Sequence, residues 1–182
     1  MIEYRLVVVL SRSGKEEENM EETKPFNISK EVVFDAYKRV KANKGTYGID
    51  GQSITDFEKE LENNLYKIWN RMSSGTYFPK PVKAVAIPKK NGGIRTLGIP
   101  TVEDRVAQMT AKIYFEPCVE PLFYEDSYGY RPNKSMKQAL AVTRERCWKR
   151  DFVLEFDIKG LFDNIRHDYL MQMVKCDQIG VC

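Results

Sequence analysis

Two carboxylates stand six residues apart in Phe156-Asp157-Ile158-Lys159-Gly160-Leu161-Phe162-Asp163, and an apolar run ends on the first of them. From Phe152 to Ile158, alternation sends Phe152, Leu154 and Phe156 to one face and Val153, Glu155 and Asp157 to the other, which predicts a strand with one buried face. A carboxylate at the end of such a strand can ligate Mg²⁺, a hard cation that takes carboxylates, carbonyl oxygens, waters and substrate phosphates. Two such ions can activate a hydroxyl nucleophile and stabilise a leaving pyrophosphate. Asp157 or Asp163 can equally cap the turn or helix that follows, and the octapeptide alone leaves both readings open.

Chemistry suited to phosphate stands upstream. KPVKAVAIPKKNGGIRTLGIP (residues 80–100) reads as two short β-runs joined by Lys90-Asn91-Gly92-Gly93, with Asn-Gly as the hairpin signal. Lys89 and Lys90 precede the turn and Arg95 follows it, so one end of a ribbon carries three cations. Lysine supplies a mobile point charge and arginine a planar fork, a pairing that suits a triphosphate or a nucleic-acid backbone. A hairpin tip is also a place where charge can simply remain in water. Further on, YEDSYGYRPNKS (124–135) interleaves Tyr128, Tyr130, Arg131 and Lys134, rings that can stack bases beside cations that can neutralise phosphates. Tyrosines packed beneath a sheet would give the same pattern.

The charge distribution agrees with a polyanionic partner. Residues 76–150 hold fourteen Lys and Arg against seven Asp and Glu, a net +7, whereas 1–75 sum to −1 and 151–182 to −3. A basic block beside an acidic segment is what a protein needs to hold a polyphosphate or nucleic acid against carboxylate-bound metal. Four scattered cysteines (Cys118, Cys147, Cys176, Cys182) without a C-x-x-C pair, and a single histidine, His167, suggest neither a zinc site nor a disulfide framework. Leu6 to Leu10 is too short for a membrane span or a signal segment. These features predict a cytoplasmic protein with no membrane partner.

The elements that must position these residues are readable from periodicity. Residues 1–24 are expected to be a mobile segment, 25–150 one region and 151–182 the start of another. Ser29 caps a predicted helix with Val33, Ala36, Tyr37 and Val40 on one face, ending in GTYGIDG (45–51). A second helix is expected to open on Thr55 and Glu58 at capping-box spacing and to carry Phe57, Leu61, Leu65, Ile68 and Met72 as a core stripe. Thr101 caps a long helix with Val106, Met109, Ile113 and Tyr114 on its apolar face, ended by Pro117 and Pro121. Ser135 caps a basic helix over 136–150, a candidate contact for RNA, and a short helix begins near His167.

The order GTYGIDG, then YFPKPVKAVAIPKKNGGIRTLGIPTVEDRVAQ (77–108), DSYGYRPNKSMKQAL (126–140) and VLEFDIKGLFDNI (153–165) resembles the fingers and first palm block of bacterial group II intron-encoded reverse transcriptases, or maturases, over about residues 30–170. The resemblance implies an α+β right-hand polymerase using two Mg²⁺ ions, an intron RNA template, a DNA primer and dNTPs. By the same resemblance Asp157 is the first metal-binding aspartate and the Ile158 carbonyl supports a metal. Lys89 and Arg95 contact the triphosphate, and Phe162 lies beneath the sugar and disfavours a 2′-hydroxyl, with Asp163 nearby. Lys90, Tyr130, Arg131 and Lys134 are candidate nucleic-acid contacts.

Two departures stand out. Arg166 occupies a position where the family pattern would have an acid, and no Tyr-x-Asp-Asp occurs in the sequence. The expectation is therefore an N-terminal fingers and partial-palm fragment, inactive by itself, whose open palm edge favours a homodimer. A non-catalytic module that binds intron RNA during splicing is the second reading.

Overall fold

The computed structural model describes residues 24–90, 92–158 and 160–175; the side chains of Phe162, Asp163, Val174 and Lys175 fall outside that description, as do Cys176, Cys182 and nearly all of the expected mobile segment 1–24. Seven helices and one two-stranded antiparallel sheet occupy the described residues, a mixed α+β arrangement. The chain divides into two compact units between Phe115 and Glu116.

In the first unit, α1 (Lys30–Ala42) starts where the Ser29 hydroxyl accepts the Val32 N–H at 3.4 Å, and it buries Val33, Ala36, Tyr37 and Val40, the four residues that its periodicity marks. The stripe from Phe57 to Met72 is divided between α2 (Ile54–Glu58) and α3 (Leu61–Ser73), because Glu60 leaves helical geometry at φ −126°, ψ 43°. The cap differs from the expected pair. Ser53 and Asp56 exchange the reciprocal bonds of a capping box, at 3.1 and 3.3 Å, while Glu58 takes Lys41 at 2.5 Å and the Tyr37 hydroxyl instead. Lys41 first, and then Tyr37, hold the Glu58 carboxyl below its usual range.

Phe57, Ile68, Val102 and Val106 are almost wholly buried with the α1 face, so helices α1 to α3 close on the first half of α4 (Val102–Val119). Each such side chain contributes roughly 1.5–3 kcal/mol of apolar burial. Two polar ties fasten the segment ahead of α1 to this core: Trp69 Nε1 donates to the Ile28 carbonyl at 2.6 Å, and Ser29 N–H donates to the Tyr114 hydroxyl at 2.9 Å.

Strands β1 (Lys83–Pro88) and β2 (Ile94–Ile99) pair from Lys83↔Ile99 to Pro88↔Ile94. One buried carboxylate joins both ends of this hairpin to α4. Asp104, 2% exposed, accepts from the Tyr77 hydroxyl at 2.7 Å, from the Lys80 N–H at 3.3 Å and from the Thr101 hydroxyl at 2.7 Å. Tyr77 and Lys80 precede β1, and Thr101 follows β2. The Thr101 hydroxyl in turn accepts the Asp104 N–H at 3.1 Å and so caps α4 as expected. Burial and then the bond to Asp104 push the Tyr77 phenol far above its ordinary range, so it stays a donor. The GTYGIDG loop packs on the same place: a Cβ on Gly48 would stand 2.7 Å from Thr101 Cα, a contact only glycine permits.

In the second unit, α4 runs past Pro117 to Val119 and passes into a 3-10 turn, Glu120–Leu122. Pro117 removes one helical hydrogen bond without stopping the helix, contrary to the sequence expectation. Helix α5 is Met136–Cys147, capped by Ser135 and shorter than the predicted 136–150. The run 152–158 is a second correction: it has no regular secondary structure, is exposed on both faces and has no strand partner among the described residues. Alternation proposes a strand, but a strand exists only when a neighbour takes up its N–H and C=O groups. Short α6 (Leu161–Asn164) and α7 (His167–Lys175) follow, the latter starting where expected.

Removing the Asp104 carboxylate strands the buried Thr101 hydroxyl, the half-buried Tyr77 hydroxyl and a backbone amide. Asp104→Ala is expected to lower stability in urea unfolding by about 2–4 kcal/mol; a loss below about 0.5 kcal/mol, the scale of an ordinary surface substitution, would show that the buried bonds carry no stability.

Candidate active site

The hairpin brings two of the predicted phosphate ligands together. Arg95 lies opposite Ile87, and directly opposed residues of an antiparallel pair share a face. Lys89 N–H donates to the Gly93 carbonyl at 2.6 Å, which carries the register one rung past Pro88↔Ile94 and places Lys89 on the face of Ile87 and Arg95. Diagonal neighbours of this kind sit about 7–8 Å apart, within reach of a single polyphosphate for two long side chains. Lys89, Lys90 and Arg95 are all exposed, and none has an ion-pair partner among the described residues.

The segment 124–135 is organised around Arg131. Its Nε and Nη2 donate to Glu120 Oε1 at 2.9 and 2.8 Å, and Nη1 donates to the Tyr124 and Ser127 carbonyls at 2.6 and 2.9 Å, with the side chain only 10% exposed. Lys134 donates to the Glu125 carbonyl at 2.8 Å and stands 5.1 Å from the Tyr128 ring centre. Arg146 of α5 meets both Asp126 oxygens at 2.8 Å and holds that carboxyl below its usual range. Tyr130 is held at φ +57°, rare for a tyrosine, and its side chain is fully exposed. Tyr124 is almost as exposed, and a braced loop with two outward rings is suited to base stacking.

Asp157 and Ile158 lie in the exposed irregular run, and Phe162 and Asp163 in α6, where only their backbone is described. Among the described residues no three His, Cys, Asp or Glu side chains gather as a metal site. A lone exposed carboxylate does not displace the water shell of Mg²⁺, so the described residues do not by themselves make a magnesium site.

Sequence reasoning missed Asp104, which ties the hairpin to α4, Glu120, which holds the Arg131 guanidinium, and Arg105, which bonds the Pro100 and Thr46 carbonyls. For Asp104 a signal existed, the Thr101-x-x-Asp104 capping spacing.

A family model described as reverse transcriptase (RNA-dependent DNA polymerase) matches residues 87–180, from β1 through the hairpin tip to beyond Asp157. The chain belongs to the reverse transcriptase family. It is 34% identical over 176 residues to the group II intron-encoded protein LtrA of Lactococcus lactis, covering 92% of this chain and 29% of that protein. It is 32% identical over 152 residues to protein YkfC of Escherichia coli, 80% of this chain and 40% of that one. A 91 kDa protein in the cob intron of Schizosaccharomyces pombe is 30% identical over 158 residues, 83% of this chain and 19% of that one. The reverse transcriptase chain thus spans less than half the length of these relatives, and the likeness to group II intron-encoded proteins read from its motifs holds over most of its length. No helix among the described residues is long and apolar enough to cross a membrane.

The Arg131 contacts predict a local effect. Arg131→Ala is expected to speed chymotryptic cleavage at Tyr124, Tyr128 and Tyr130 about 10-fold or more, the scale of one charged hydrogen bond lost. Unchanged cleavage would mean that the loop does not depend on this guanidinium.

Proposed function

We propose that this chain supplies the incoming-nucleotide side of an RNA-directed DNA polymerase of the group II intron type, as fingers and the first part of a palm. The observation that carries the reading is the face shared by Lys89 and Arg95 at the hairpin tip, inside the segment matched by the reverse transcriptase family. In this reading the two cations hold the triphosphate of a dNTP, and Phe162 lies under its sugar. Tyr130, with Lys90 and Lys134, meets the template or primer strand, and Arg131 shapes the loop that presents Tyr130. Asp157 and the Ile158 carbonyl contribute oxygens to the two Mg²⁺ ions on which nucleotidyl transfer in the family rests. One carboxylate is not enough to hold them, so polymerisation needs further carboxylates from outside the described residues.

Intron RNA as template and a cytoplasmic location follow from the same reading, and the exposed apolar run 152–158 favours self-association. Sedimentation should show a concentration-dependent dimer that is lost in the double substitution Phe152→Ser, Phe156→Ser; a chain monomeric throughout would contradict the self-association.

The decisive experiment is primer extension on an RNA template with dNTPs and Mg²⁺. The chain alone is expected to incorporate nothing, and the chain joined to the remainder of a reverse-transcriptase catalytic region to extend the primer. In that extended enzyme Asp157→Ala should abolish incorporation, and Arg95→Ala should lower kcat/KM for dNTP roughly 10- to 100-fold through loss of a charged hydrogen bond. Wild-type kinetics in Arg95→Ala would leave the hairpin tip as a solvated end. RNA binding without incorporation in the extended enzyme would favour the splicing module.

A further inference from the structure

Residues 24–29, ahead of α1, are fastened to the C-terminal half of α3 at every second position. Lys24 Nζ donates to Asn70 Oδ1 at 2.5 Å and stands 3.4 Å from the centre of the Trp69 ring. The ring of Phe26 rests on Gly75, where a Cβ would come 2.7 Å from Phe26 Cε2. Ile28 is buried, and its carbonyl accepts Trp69 Nε1 at 2.6 Å. Pro25 and Asn27 between them are exposed, so the segment is a strap with one bound side.

This strap completes the end of α3. A helix leaves its last carbonyls without intrahelical donors, and a left-handed glycine just past the end lets the following N–H groups fold back on them. Gly75, at φ +70°, serves in this way: its N–H donates to the Met72 carbonyl at 3.1 Å, and Thr76 N–H donates to the Arg71 carbonyl at 2.9 Å. The Ser73 carbonyl is taken by the strap, through Phe26 N–H at 3.1 Å. Phe26 therefore gives one bond to the last turn of the helix and one ring to the glycine that redirects the chain. Two residues after Gly75 stands Tyr77, whose hydroxyl donates to Asp104.

We propose that residues 24–29 are a positioning strap for the hairpin, in which Phe26, braced by Lys24, sets the exit of α3 and with it the reach of Tyr77 to Asp104. A strap that only added burial to the core would need no contact with this turn. Trp69 and Tyr114 already anchor Ile28 and Ser29 to the core, whereas Phe26 touches the turn that leads into β1. With the strap released, the Ser73 carbonyl loses its donor and the turn 74–77 loses the ring that fixes its direction. The hairpin then leaves the clasp for part of the time. The consequence for the hairpin stands on geometry alone, and the consequence for a dNTP at its tip rests on the polymerase reading above.

Amide hydrogen exchange of the whole chain tests the strap, with Phe26→Ala, Lys24→Ala, Tyr77→Phe and the double variant Phe26→Ala, Tyr77→Phe. Phe26→Ala is expected to speed exchange of the β1 and β2 amides about 10-fold, as for loss of one hydrogen bond to a charged group, while Ala36, Tyr37 and Val40 of α1 keep the parent's rates. Lys24→Ala removes the brace and leaves the ring, and it should act on the same amides by about threefold. In the Tyr77→Phe background, Phe26→Ala should add less than about twofold, because the bond through which the strap acts is already gone.

The proposal is overturned if Phe26→Ala leaves the β1 and β2 ladder fully protected, if it speeds α1 and the hairpin equally, or if its effect on the hairpin is the same with and without the Tyr77 hydroxyl. In the extended polymerase, Phe26→Ala should raise KM for dNTP about threefold and keep kcat at saturation, since a ligand that needs the placed hairpin draws the chain back to that state. A lowered kcat at unchanged KM would contradict the positioning role. An extended enzyme that incorporates nothing even with the parent strap overturns the polymerase reading instead, and the exchange rates decide the strap by themselves.

Discussion

A single buried carboxylate accounts for the placement of the hairpin. Asp104 collects bonds from Tyr77 and Lys80 on the approach to β1 and from Thr101 on the exit from β2, so both legs of the ribbon are tied to the first turn of α4. A two-stranded ribbon is marginal in water unless something packs or pins it. Here the pin is polar and buried, which makes it specific, since a buried acceptor is stable only with its donors in place. Register then does the rest, carrying Lys89 and Arg95 to one face at the far end.

The cations that looked alike in the sequence separate into two kinds. Arg105, Arg131 and Arg146 are occupied: they hold the carbonyls of Thr46 and Pro100, the Glu120 and Tyr124 contacts, and Asp126. Lys89, Lys90 and Arg95 stand in solvent at the tip. The +7 of residues 76–150 is therefore partly architecture. Arginine serves the first use because its planar fork can bond several carbonyls at once, and mobile lysines suit the second.

Much of the helical fold was legible. The four buried residues of α1 repeat at helical spacing, and Ser29, Thr101 and Ser135 cap where the pattern places them. The start of α2 was not, because Ser53-x-x-Asp56 and Thr55-x-x-Glu58 have the same spacing. Tertiary contacts decide between them, with Tyr37 and Lys41 drawing Glu58 away. The same limit applies at 152–158: period-two alternation describes one strand, whereas a sheet requires the neighbour. The hairpin and its basic tip were readable from local signals, but the clasp beneath it joins Tyr77 to Asp104 across 27 residues, beyond any local pattern.

Amide hydrogen exchange in β1 and β2, compared between the parent chain and Asp104→Asn, tests the clasp most directly. If Asp104 holds the hairpin, protection of the β1 and β2 amides falls together with that of the first turn of α4, while α5 exchanges as in the parent. Undiminished protection of the ladder in Asp104→Asn would contradict the clasp and leave the hairpin held by its own strand pairing.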